Sequence, residues 1–105
     1  MSDFKVIEDH PVINKMVKTN EYWYNYDKTI EELFELGEVL MKKKLKKGGA
    51  KEPSDASIIE EIGDVQIRLD VLKKLFGETT VNKRVEDKLA KFEEFYKESK
   101  YIGRI

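Results

Sequence analysis

Cysteine is absent from this 105-residue chain, which excludes disulfides and thiolate metal sites. Proline occurs only twice, and alternating β-branched runs are scarce, so little in the sequence supports a sheet. No apolar run approaches the ~18 residues that a membrane-spanning helix needs. The start, MSDFKVIEDHP, lacks the basic end and apolar centre of a secretory signal, so a cytoplasmic location is expected. The net charge is only −1, which argues against a nucleic-acid partner, whose binding rests on neutralising phosphates. What is present is charge of both signs, 39% of residues, alongside 40% hydrophobic residues and many helix formers. The expectation is one soluble all-α domain, residues 1–105, with a thin core.

Four helices are predicted. The first covers residues 11–18, with Pro11 in its first turn. The second starts between Asn20 and Thr29 and runs to the Gly48-Gly49 stop. Thr29 with Glu32 fits a capping box, although residues 22–26 can also be helical. The third begins at Ser54 or Ser57 and ends at Phe76 before Gly77, with Ser57 and Glu60 spaced as a second capping box. The fourth covers residues 81–99, followed by a short tail, KYIGRI.

On a wheel of about 100° per residue, the third helix carries an apolar stripe of Ile58, Ile62, Val65, Leu69, Leu72 and Phe76. Gly63, Gln66, Asp70, Lys73 and Lys74 form a natural solvent strip, and Ile67, Val71 and Leu75 make a second apolar group. Glu61 and Asp64 fall between the two apolar groups, where an unpaired carboxylate is costly. In the second helix, Ile30, Leu33, Phe34, Leu36, Leu40 and Met41 make the main apolar face, and Glu32 and Glu35 flank Val39. Residues three apart are neighbours on a helix, so each pair presents two carboxylates side by side. Two such pairs on facing helices make a four-carboxylate pocket of hard oxygen ligands, suited to magnesium or manganese rather than zinc. For either pair alone, a solvated or ion-paired face is the simpler reading. Two matching pairs, both beside apolar residues, favour a metal.

These residues carry a family resemblance. The series KTIEELFELGEVL, a loop, and IIEEIGDVQIRLDVLKKLFG resembles the MazG-like nucleoside triphosphate pyrophosphohydrolases of the all-α NTP pyrophosphatase superfamily, over residues 28–77. Their E-E-x-x-E…E-x-x-D signature reads here as Glu31, Glu32, Glu35, then Glu61 and Asp64. The resemblance implies a magnesium-dependent enzyme that binds a nucleoside triphosphate, attacks it with activated water and releases monophosphate and pyrophosphate. It implies Glu32, Glu35, Glu61 and Asp64 as metal ligands, with Glu35, Glu38 or Glu31 as catalytic bases or supporting groups. It further implies a homodimer or homotetramer whose helices jointly complete the bundle, and a role in nucleotide metabolism.

Other features carry two readings each. Six lysines between Lys42 and Lys51 complement a helix C-terminus, and Lys42 also lies on a flank similar to that of Glu35 and Glu38, within reach of a phosphate. Trp23, in the aromatic run YWYNY, either packs against protein or stacks on a base. Lys83, Arg84 and Lys88 are phosphate candidates or solvated charges, and Lys88 best matches the lysine in the helix that follows the family motif. Arg68, one turn beyond Asp64, either pairs with the carboxylates or contacts phosphate. His10 reads as a surface residue. The rival to an enzyme is a non-catalytic helical module, binding a basic partner or a nucleotide through its acidic face.

Overall fold

A computed structural model describes residues 7–98. Among these residues the chain is all-α: a 3-10 turn, Ile7–Asp9, precedes α1 (Pro11–Thr19), α2 (Tyr22–Leu45), α3 (Asp55–Phe76) and α4 (Glu78–Lys97), with no strand. Ser99 and the KYIGRI tail lie outside the described residues, as does most of the stretch read for a signal sequence. The chain divides into two compact units, Met1–Leu75 and Phe76–Ile105.

The first unit is built around a helical hairpin. Lys43, late in α2, bonds the carbonyl of Pro53 (3.2 Å) and pairs with Glu52 and Asp55 (3.3 Å each) beside the start of α3. Further from the loop, Glu32 of α2 meets Glu61 and Asp64 of α3. Residue number falls along α2 as it rises along α3, so the two helices run antiparallel. Their packed faces hold few apolar side chains. α2 buries Asn25, Thr29 and Glu32, and α3 buries Val65, Asp70 and Val71. The Ile7–Asp9 turn is pinned to the far end of α3 by Lys73–Glu8 and Lys74–Asp9 ion pairs.

The start of α2 falls within the expected range, and two expectations, the Ser57 cap and the exposure of Asp70, are corrected. Thr29 is no cap: its hydroxyl donates to the Asn25 carbonyl (2.6 Å) inside α2. The helix has already begun at Tyr22, where the Tyr22, Trp23 and Tyr26 rings meet edge-on or tilted at 4.8–5.2 Å between centroids, and the Tyr22 and Tyr26 hydroxyls bond at 2.8 Å. The cap of α3 is Ser54, whose Oγ accepts from the Ser57 N–H at 3.2 Å, so Ser57 sits inside the first turn. Asp70, expected in a solvent strip, is only 4% exposed, and its Oδ1 accepts from Gln66 Nε2 at 3.0 Å.

The apolar stripes also divide differently. Of the main α3 stripe only Val65 is buried, while Ile62, Leu69 and Phe76 stay exposed. On α2, Ile30, Leu33, Phe34, Leu40 and Met41 are all exposed, Phe34 at 75%. Val39, by contrast, is half-buried on the side that carries Glu32.

The second unit contains α4. Gly77 precedes it with φ 105°, a left-handed conformation that a side chain disfavours. The helix is mostly polar, with a Lys83–Asp87 pair and the Lys88 ammonium 5.4 Å from the centroid of the Phe92 ring.

Candidate metal centre

The buried side of α2 is a polar stripe at helical spacing: Asn25, Thr29 and Glu32, continued by half-buried Leu36, Val39 and Lys43. That spacing brings Glu32 against α3. Glu61 and Asp64, three residues apart, share the side of α3 that meets it. One oxygen from each of Glu32, Glu61 and Asp64 lies within 4.8 Å of the others.

Two of these carboxylates each keep one buried oxygen without a hydrogen-bond partner. Glu32 is 8% exposed and has Lys28 at 3.7 Å from Oε1, but its Oε2 is buried without a hydrogen-bond partner. Glu61 Oε2 is likewise buried and unpartnered. Such groups ordinarily find a donor or a cation. An all-oxygen donor set with no nitrogen or sulfur suits a hard divalent ion, so these residues fit magnesium or manganese.

The charge crowding shows in the acidities. Glu61 is raised above the ordinary carboxyl value by partial burial, then by the charges of Asp64, Glu32 and Glu60. Glu35 is raised chiefly by the charge of Glu32, then by partial loss of water and by a carboxyl contact with Glu32, with Glu61 and Glu31 contributing. The unfolded chain releases these protons near the ordinary value of 4.5, before the folded chain does. The folded state therefore carries no penalty below that value, and loses stability as pH rises through it and on through the raised folded values. In chelator, the stability gap between Glu61→Gln and the wild type is expected to widen in favour of the variant as pH rises above the ordinary carboxyl value of 4.5. Calorimetry across that range checks it; a gap independent of pH would mean that Glu61 is not under strain.

The other predicted site residues are placed as follows. Glu35 is exposed and borders Glu32. Glu31 pairs with Lys28 (3.3 Å) and Glu38 with Lys42 (3.0 Å), all on the outer surface of α2 or near it. Trp23 is 62% exposed and nine residues from Glu32, which sets it about half a turn round the helix from the carboxylates. The structure does not bring Trp23 to the cluster within one chain. Lys88 belongs to the second unit. Arg68 does reach the site. It lines a small cavity of about 140 Å³ with Glu32, Asp64 and Ile67, and its Nη1 is buried without a partner.

Residues that the sequence reading passed over lie next door. Ile67 and Arg68 also wall a larger hollow of about 450 Å³, completed by Ile7, His10, Val12, Ile13 and Met16. The signal available was the spacing of Val12, Ile13 and Met16 on a short helix, too short to show which neighbour they face. His10 is exposed as expected, but it also caps α1, its Nδ1 accepting from the Val12 N–H at 3.1 Å.

Fold and cluster together define an all-α protein with an inter-helical carboxylate centre. The chain matches no protein-family model, no curated protein and no solved structure.

Proposed function

We propose that this protein is a magnesium-dependent nucleoside triphosphate pyrophosphohydrolase, acting as a homodimer or homotetramer and accepting manganese as a substitute. The observation that carries the reading is the convergence of Glu32, Glu61 and Asp64 from two helices, with the Glu32 and Glu61 Oε2 atoms buried and unpartnered. These three side chains would hold the cation, with Glu35 at the margin. A divalent ion supplies positive charge that offsets the phosphates and makes water more acidic.

The remaining work falls to the chain's own groups. Glu35 is the best proton acceptor for the attacking water, because its raised pKa makes it a more basic carboxylate and it is exposed beside the cluster. Glu31 and Glu38 are held by lysines, which suits a supporting role. Arg68, with a free donor beside Glu32 and Asp64, is placed to meet a phosphate oxygen. The chain has no cysteine, and no serine or threonine adjoins its single histidine, so direct attack by water is the simplest route.

The test is a panel of common ribo- and deoxynucleoside triphosphates with magnesium, run in isotopically labelled water. Monophosphate and pyrophosphate should form, with one solvent oxygen incorporated per turnover and no burst. Release of orthophosphate and diphosphate would contradict the cleavage site. No turnover of any triphosphate would favour the non-catalytic helical module.

Assembly is part of the same reading. Ile30, Leu33, Phe34, Leu40 and Met41 lie on one side of α2 around Gly37, where nothing approaches an added Cβ within 4 Å. Exposed apolar stripes of this kind mark association surfaces, and the glycine lets a second helix come close. Light scattering at micromolar concentration should give two or four chain masses, and Phe34→Glu should lower that number. A wild-type monomer would contradict it.

A further inference from the structure

Beside the carboxylate centre lies a hollow of a different chemistry. Its walls come from the Ile7–Asp9 turn and α1 on one side and α3 on the other, and its lining is almost wholly apolar. At about 450 Å³ it falls in the range of small-molecule sites, whereas the acidic cavity, at about 140 Å³, does not. The two cavities share a wall: Ile67 and Arg68 line both. A ligand reaching into both would place an anionic end near Arg68 and an uncharged end against Ile7, Val12, Ile13 and Met16.

Two polar groups sit in the hollow's lining. Arg68 Nη1 is buried and unpartnered. His10 commits Nδ1 as acceptor to the Val12 N–H, so in the neutral ring the proton stays on Nε2, leaving one donor for a ligand. An apolar pocket with a few fixed polar groups is the usual form of a site that orients an organic ligand.

We infer that the hollow between the Ile7–Asp9 turn, α1 and α3 is the nucleoside subsite of this protein, holding the base while the adjoining carboxylate centre holds the phosphates. The inference rests on the reading of the acidic cluster as a triphosphate site and adds to it where the base goes. It moves base recognition away from Trp23, which faces elsewhere on α2, to α1, the turn before it and the α3 residues Ile67 and Arg68.

Met16 supplies a reporter, and Met41, exposed on α2 and absent from the hollow's lining, supplies the control. The full-length protein, labelled at methionine methyls, is titrated by NMR with each common nucleoside at millimolar concentration in chelator, then with the matching non-hydrolysable triphosphates and magnesium. The Met16 methyl should shift with at least one nucleoside while Met41 stays still. Val12 is a half-exposed residue on the hollow's rim, so Val12→Trp should fill the hollow and weaken binding by about tenfold or more. Val12→Ser, a smaller change, should weaken it in the same direction. Glu61→Gln should leave the nucleoside response intact, since a nucleoside carries no phosphate. A Met16 signal unmoved by every nucleoside and triphosphate would overturn the subsite, as would Val12 variants that bind like the wild type. A Met16 response in a protein that hydrolyses no triphosphate supports the subsite and sinks the catalytic reading. Hydrolysis with a silent Met16 does the reverse.

Discussion

Glu61→Gln and Asp64→Asn are each expected to abolish triphosphate hydrolysis while leaving the helical fold intact. Both residues lie in the three-carboxylate cluster, and each substitution removes a charge and one hard anionic donor at nearly constant shape. The fold should survive because repulsion is relieved: Glu61 is pushed toward protonation by partial burial and by Asp64, Glu32 and Glu60. In chelator the Glu61→Gln protein should melt at least as high as the wild type near neutral pH. Glu35→Gln should behave differently, because Glu35 borders the trio without belonging to it. Turnover should fall by about 10²–10⁴-fold, the usual scale for a lost general base, with cation binding largely retained. Steady-state rates and circular dichroism on the three variants check this. Wild-type activity in Glu61→Gln or Asp64→Asn would remove the site assignment.

The second large effect is stabilisation by the cation itself. A ligand that binds only the native state adds about 2.7 kcal/mol at a concentration a hundredfold above its dissociation constant. For a chain of this length, each kcal/mol corresponds to roughly 4–8 °C of melting temperature. Saturating magnesium should therefore raise the melting temperature by about 10 °C or more. Glu61→Gln should lose most of that rise while starting from an equal or higher value in chelator. A uniform rise in all variants would indicate general screening of surface carboxylates.

Part of this was legible in the sequence. Glu61 and Asp64 betray themselves because a three-residue step places both between apolar groups of one helix, a local property of the chain. The burial of Val39 and Glu32 on one side of α2 could be suspected for the same reason. Thr29 left the start of α2 open because Thr-x-x-Glu is the same four-residue pattern at a helix start and inside a helix. The sequence leaves the start open between Asn20 and Thr29, and the structure sets it at Tyr22. Asp70, placed by the wheel in a solvent strip, is 4% exposed, and no pattern local to α3 gives that burial. Nor does an apolar pattern reveal what buries it. Phe34 and Leu40 read like core residues and are exposed within the chain, whereas Asn25 reads as polar and is 1% exposed. The hollow around Met16 was hidden for a similar reason, because it forms only when the turn before α1 folds against α3.

Manganese binding followed by electron paramagnetic resonance tests the central claim most directly, because bound manganese is lost from the free-ion signal without any substrate present. The wild-type protein should take up manganese, magnesium should compete for it, and Glu32→Gln, Glu61→Gln and Asp64→Asn should each weaken uptake strongly, whereas Glu38→Gln should not. Manganese binding that is indifferent to all three cluster substitutions would contradict a metal centre between α2 and α3.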